Sequence, residues 1–446
     1  MTVHYVPAGV EAYSERTAQL YVKNKPNEKE TTEFGPKVKR WRTKDRTVVE
    51  AMSSARGAVI PEEQFDVCVP IFSPTAIKAC GLSLVLANPE VGKDYKKAPY
   101  EKQGIKSIVD SGGFQLLRAN VDFVHPDGVI DRYNKDANIG MPLDLPVRTA
   151  FEPAYFRQVS HLIKANDDYI LKRLDPGIDL ALISHGSTVE LRKARLDVLD
   201  RKANVVAIAG LGIKPPPGID RTNAAVENLM YVISRYHKKT EYFHVLGVTS
   251  KLMMFFYALL ERSGYVKNIG ADSVSHRLGA LVGMYDTADF KTLDLKKNQA
   301  YRQTPQCNCP ICTSIDDLRI IHSWRILEAH NLWVRAEQTR FLCALAEDYL
   351  AGKVPLAEVH QKMDLNITLN KFTLLVNYIR DVMANKWKPM RSTSKTKGLA
   401  GLAQTTIKTD AHYEAVISRY EKFHGKTFPE GPGKKATGSS LKRKKS

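Results

Sequence analysis

Short apolar runs recur along the first two thirds of the chain: FDVCVPIF (65–72), SLVLAN (83–88), KSIVD (106–110), NIGMPLDL (138–145), DLALISH (179–185), NVVAIAGL (204–211), YFHVLGV (242–248) and NIGADSV (268–274). Their length and β-branched content predict strands. Between the later runs, TVELRKARLDVLDRKA, TNAAVENLMYVISRYHKK and SKLMMFFYALLERSGY repeat apolar residues at helical spacing. Strands alternating with helices predict a parallel sheet covered by helices. Eight strands in about 210 residues predict an α/β fold of the TIM-like (β/α)8 barrel type. The connections at 89–104 and 118–136 are less regular. Beyond about residue 313 the chain reads as long helix. The expected organisation is a basic N-terminal extension over 1–60 and a barrel over 61–335. A zinc-binding insertion at 300–335, a helical basic extension over 336–430 and a disordered basic tail over 431–446 complete it.

Composition sharpens this in two ways. A hydrophobic content of 43% supplies a real core. No apolar run reaches the roughly 18 residues of a membrane helix, and the N-terminus has no basic region leading into an apolar one. No membrane association is expected, and the expected location is cytoplasmic. The chain carries 66 Lys and Arg against 48 Asp and Glu, a net charge of +18. The excess is clustered in KVKRWRTKDR (37–46), NKWKPMRSTSKTKGLAG (385–401) and KKATGSSLKRKKS (434–446). Basic segments of this kind suit a phosphate backbone, so the expected partner is a nucleic acid.

Candidate chemistry lies at strand ends and in one cysteine cluster. Cys307, Cys309 and Cys312, with His330 downstream, are three thiolates and an imidazole. That is a full tetrahedral set for a structural zinc, with His322 a competing fourth ligand. Asp110-Ser111-Gly112-Gly113-Phe114-Gln115 follows KSIV. There a carboxylate would stand beside backbone able to approach a ligand closely, or would merely cap the next helix. Asp144, His185-Gly186, Gly210-Leu211, Gly247 and Asp272 occupy other strand ends. A barrel gathers such ends on one rim, where two acids in opposite roles could carry out retaining glycosyl transfer.

These motifs resemble the tRNA-guanine transglycosylase superfamily: DSGGFQ (110–115), AGLG (209–212), HVLGV (244–248), GADS (270–273), CNCPIC (307–312) and HNL (330–332). The resemblance spans roughly residues 65–335. It implies a TIM-like barrel with a zinc insertion that exchanges guanine in a polynucleotide for a free 7-deazaguanine base, through a covalent aspartyl intermediate and with no ATP or redox cofactor. Carried over by residue, Asp110 is the general acid/base, Phe114 stacks on the base and Asp144 holds its edge. Ser111, Gly112, Gln115, Gly210, Leu211 and Gly247 help bind it, and Asp272 is the nucleophile. Cys307, Cys309, Cys312 and His330 hold zinc. An alternative register puts Ser275 at the nucleophile position. His185-Gly186 replaces the usual Gln-Gly, which leaves the 7-substituent open, and Ser275–Gly279 replaces the Pro-Thr-Arg of the bacterial tRNA enzymes. These departures look like the DpdA branch, which modifies DNA. DNA is therefore the expected substrate, with tRNA and a non-catalytic nucleic-acid-binding subunit as alternatives. An oligomer or a partner protein is left open.

Overall fold

The computed structural model describes residues 3–7, 29–30, 38–43, 46–53, 56–59, 77–78, 80–87, 96–113, 116, 123–145, 153–215, 218–294, 307, 309, 324–386, 388–390 and 411–428. Phe114, Gln115, Cys312, His322, the 65–72 run and the 434–446 tail lie outside them, as does most of the basic stretch after Met390.

Strand β1 is Val3–Pro7, and β2 to β5 are Lys29–Glu30, Val38–Thr43, Arg46–Ser53 and Arg56–Val59. Next come β6 (Leu84–Ala87), α1 (Lys97–Glu101), β7 (Lys106–Val109), α2 (Pro126–Asp136), β8 (Ile139–Gly140), α3 (Pro153–Leu171), β9 (Asp179–Leu180) and β10 (Leu182–His185). The alternation continues with α4 (Val189–Leu199), β11 (Val205–Ala209), α5 (Arg221–Tyr236), β12 (Tyr242–Val245), α6 (Lys251–Arg262), β13 (Ile269–Ser273) and α7 (Ser275–Leu281). A hairpin of β14 (Met284–Asp286) and β15 (Thr292–Asp294) precedes α8 (Trp324–Leu350), α9 (Leu356–Lys362), α10 (Leu369–Met383) and α11 (Ala411–His424).

The fold is mixed α/β. One parallel sheet has the order β1-β13-β12-β11-β10 and a second the order β6-β7-β8-β9, while β2 to β5 form a separate antiparallel sheet. Only Ala181 separates β9 from β10, and its N–H bonds to the Gly140 carbonyl of β8 at 3.0 Å. At the other edges, Ser83 beside β6 bonds the imidazole of His4 in β1 at 3.0 Å.

Within the described residues, strands form at the predicted runs from SLVLAN onward, and β11 is buried at every position, as a parallel strand covered on both faces is. Helices start at polar caps. The Asp220 carboxylate accepts from the Asn223 N–H at 2.8 Å and the Thr188 hydroxyl from Leu191 N–H. Helix α6 is apolar on all sides and is buried from Met253 to Glu261, with α8 packed along it.

One boundary needs correction. Within the expected 1–60 extension, Val3–Pro7 belongs to the main sheet, pairing with β13 with Val6 opposite Asp272, while β2 to β5 form a sheet of their own. Five residues ending in proline are too short to announce a core strand, and they pair with a strand some 270 residues away. In the C-terminal part, the Lys371 ammonium meets Asp220 at 3.2 Å and the His424 ring meets Asn166 at 2.8 Å. Helices α10 and α11 are thus fastened to α5 and α3.

Candidate active site

All the strands of the two parallel sheets run the same way, so their C-terminal ends lie at one side. Asp110 follows β7, Asp144 follows β8, His185 ends β10, Gly210 follows β11, Gly247 follows β12 and Asp272 lies in β13. The loop carrying Asp110 is pinned to the one carrying Asp144. A side chain on Gly113 would put its first carbon 2.2 Å from the Asp144 carbonyl oxygen, so only glycine lets the two backbones touch. The buried Ser111 hydroxyl accepts from the Gly113 N–H at 3.1 Å. Burial pushes the Asp110 carboxyl up to about 6. The Gly112 N–H works against this, the negative charge of Asp272 adds to it, and the Ser111 N–H and Arg132 oppose it. Asp110 and Asp272 therefore lie within electrostatic reach of each other.

Asp272 is 9% exposed. Its Oδ1 accepts from His244 Nε2 at 3.1 Å and from the Gly247 N–H at 3.1 Å. Gly247 adopts φ +70, which aims that N–H back at the strand end. The other nitrogen of the fully buried His244 meets the Tyr242 hydroxyl at 2.9 Å. Ser275, the alternative nucleophile, opens α7 and is tied to its neighbour: its N–H donates to the Ser273 hydroxyl at 2.9 Å and its own hydroxyl accepts from Ser273 at 2.8 Å.

The rest of the rim is a buried charge network. Asp144 Oδ1 receives Arg195 Nη1 at 2.7 Å, with both side chains buried. Burial raises the Asp144 carboxyl and the arginine partly offsets this. The carboxylate expected to hold a base edge thus has one oxygen already committed. Arg192, also fully buried, donates to the Ser184 carbonyl at 2.8 Å, the Ala209 carbonyl at 2.6 Å and the Asn228 amide at 3.0 Å. It ties the end of β10 to the end of β11, with no carboxylate among these partners.

His185 is 4% exposed, and burial first, then Arg195 and Arg192, hold its pKa far below the ordinary range, so its ring is neutral. Gly210, at φ +74, packs on that ring, where an added carbon would sit 3.1 Å from it. Leu211 is buried beside it.

Neither Arg192 nor Arg195 stood out in the sequence, where RKAR is part of a helical pattern. The available signal was their spacing of three, which puts both on the face that carries Leu191, Ala194 and Leu199. His244 was noticed only as part of HVLGV, because a strand histidine gives no hint of its partner on the next strand.

No protein-family model matches this chain and no curated protein does. Cys307, Cys309 and His330 place their ligand atoms within 4.8 Å of one another. His330 Nδ1 lies 3.3 Å from Cys309 Sγ and 3.9 Å from Cys307 Sγ. Its Nε2 is 2.8 Å from the Asp286 carbonyl. Nε2 must therefore carry the proton, which leaves the Nδ1 lone pair facing the thiols. These separations suit a tetrahedral ion with metal–sulfur bonds near 2.3 Å and metal–nitrogen bonds near 2.0 Å. The cluster could hold a metal ion.

Proposed function

We propose that this chain is a DNA guanine transglycosylase that exchanges guanine for a preQ0-like 7-deazaguanine on a closed eight-stranded barrel. The observation that carries the reading is the acid pair, with Asp110 held part-protonated near neutrality and Asp272 held by two donors beside it. Two carboxyls with separated roles are what retaining glycosyl transfer needs.

Closure of the barrel is supported from the opposite end. A cavity of about 650 Å³ is ringed by the first residues of β1, β6, β7, β8, β9, β11, β12 and β13 or the residues just before them. Its asparagines are all engaged within the protein: Asn204 bonds Asp179 at 2.9 Å, Asn268 the Glu241 carbonyl at 3.1 Å and Asn138 the Glu101 carboxylate at 2.9 Å. That end reads as a stabilising face and the acid-bearing end as the reactive one. We assign zinc to Cys307, Cys309 and His330, with Cys312 the expected fourth ligand. It would hold the insertion against β14 and α8 and take no part in base exchange.

In this reading the target guanine leaves its stack to enter the rim. Asp272 attacks C1′ as the C1′–N9 bond breaks. The electron pair leaves on N9, which takes a proton from Asp110. The incoming base loses its N9 proton to Asp110, bonds C1′ and releases Asp272. Atoms and electrons balance with no redox partner.

The test is incubation with guanine-containing DNA or tRNA and labelled 7-deazaguanine, followed by digestion to nucleosides. Label in DNA is the expected result. Label in tRNA alone would overturn the choice of polymer, and label in neither would overturn base exchange.

A further inference from the structure

We infer that His244 is the positioning residue that aims Asp272, engaging Oδ1 so that Oδ2 is the atom that attacks C1′. The inference rests on the base-exchange reading above. Both donors that reach Asp272, His244 Nε2 and the Gly247 N–H, converge on Oδ1 at 3.1 Å each. Among the described residues none hydrogen-bonds Oδ2. An oxygen with two donors has its lone pairs engaged, and the free oxygen of the same carboxylate keeps its own for reaction.

The histidine is itself held. It is fully buried, so water cannot satisfy it, and both its nitrogens have partners in the protein. An ionised carboxylate only accepts, so Nε2 carries the proton. With the ring neutral, Nδ1 then accepts from the Tyr242 hydroxyl. Burial and the Asp272 charge both push the Tyr242 phenol well above its usual range, so it remains an O–H donor. Tyr242 and His244 are two apart on β12 and therefore share a face, as do Gly270 and Asp272 on β13.

Gly270 makes the arrangement possible. A side-chain carbon there would lie 2.4 Å from the Tyr242 hydroxyl. The chain Tyr242–His244–Asp272 thus runs from the cavity at the strand starts to the reactive rim, and each member fixes the next.

The step this serves is the first displacement, in which Oδ2 forms its bond to C1′ as guanine departs with the electron pair and takes up the Asp110 proton. Aim matters because a misplacement of about 1 Å can cost about 100-fold in rate.

The experiment measures covalent adduct formation in a single turnover, with end-labelled guanine-containing DNA and no incoming base, resolved on a denaturing gel. Binding of the same DNA is measured in parallel. His244→Leu is expected to slow adduct formation about 100-fold while DNA affinity changes less than about threefold. His244→Gln, which restores an N–H donor, should recover most of the rate. Tyr242→Phe, which keeps the ring and removes the hydroxyl, should lose about three- to tenfold.

A purely structural histidine would instead lower rate and affinity together, through lost fold, and Gln would not rescue it. Circular dichroism and melting curves check the fold. Should His244→Leu fail to fold, the Gln and Tyr242→Phe variants decide. Adduct formation at the wild-type rate in His244→Leu, or in Tyr242→Phe if that variant stands in for it, would overturn this inference alone. No adduct and no exchange by the wild-type protein on either polymer would overturn the base-exchange reading and this inference with it.

Discussion

At the scale of single residues, Asp110 shows how a buried carboxyl costs stability. Its carboxyl rises from an ordinary 3.8 to about 6, chiefly because burial disfavours the charge. The folded protein therefore holds the proton to higher pH than the unfolded chain does. The stability tied to this group is present below about pH 4, is lost as pH rises through about 6, and stays lost above that. Asp110→Asn should then be more stable than wild type at pH 8 by on the order of 1–3 kcal/mol and equal to it at pH 4, by urea denaturation at the two values. The same variant should exchange no base. A variant less stable at pH 8 would mean that the site stabilises the anion. Asp110 was legible because an acid before two glycines at a strand end is a distinctive pattern. The need for Gly113 was not legible, since the backbone it meets belongs to Asp144, thirty-one residues on.

At the scale of elements, the hairpin of β14 and β15 shows how the Cys307, Cys309 and His330 cluster is tied into the fold. Asp286 accepts from Arg335 of α8 at 2.8 Å, and its carbonyl lies 2.8 Å from His330. Asn331 accepts from the Asp286 N–H at 3.0 Å and donates to the Met284 carbonyl at 2.9 Å. The HNL segment thus sets adjacent residues to two tasks, one in the cluster that could hold a metal ion and one as a clamp on the hairpin. Elemental analysis should find zinc in the wild type and none in Cys309→Ser. Chelation should lower the melting temperature of the wild type and leave the variant unmoved, because a bound metal adds its binding energy to folding. Helices α4 to α6 and the strands between them were legible from periodicity. Strand β1 was not, because a five-residue run acquires its meaning only from β13. The arginines of α4 were not legible for a related reason, since a helix pattern cannot tell a cation facing water from one facing the ends of β10 and β11.

At the scale of the whole molecule, the net charge of +18 predicts how a polyanion is held. If basic segments grip phosphates, affinity for a fixed DNA should fall linearly on logarithmic axes as salt rises, by at least about 100-fold between 50 and 200 mM. Fluorescence anisotropy across that range measures the slope, and a flat response would remove the electrostatic grip from the account. Among the described residues no helix is long and apolar enough to cross a membrane. By itself the sequence determined the alternation of strands and helices, the acids and glycines at strand ends, and the spacing of the cysteines. Those are local properties, carried by periodicity and by residue type at a turn. Tertiary structure alone decided that Val3–Pro7 is a core strand, that Asp144 is bound by Arg195, and that Asp272 is held through one oxygen by His244. Each of these depends on which groups burial brings together from distant parts of the chain, and on the rule that a polar group taken out of water must find its partner there.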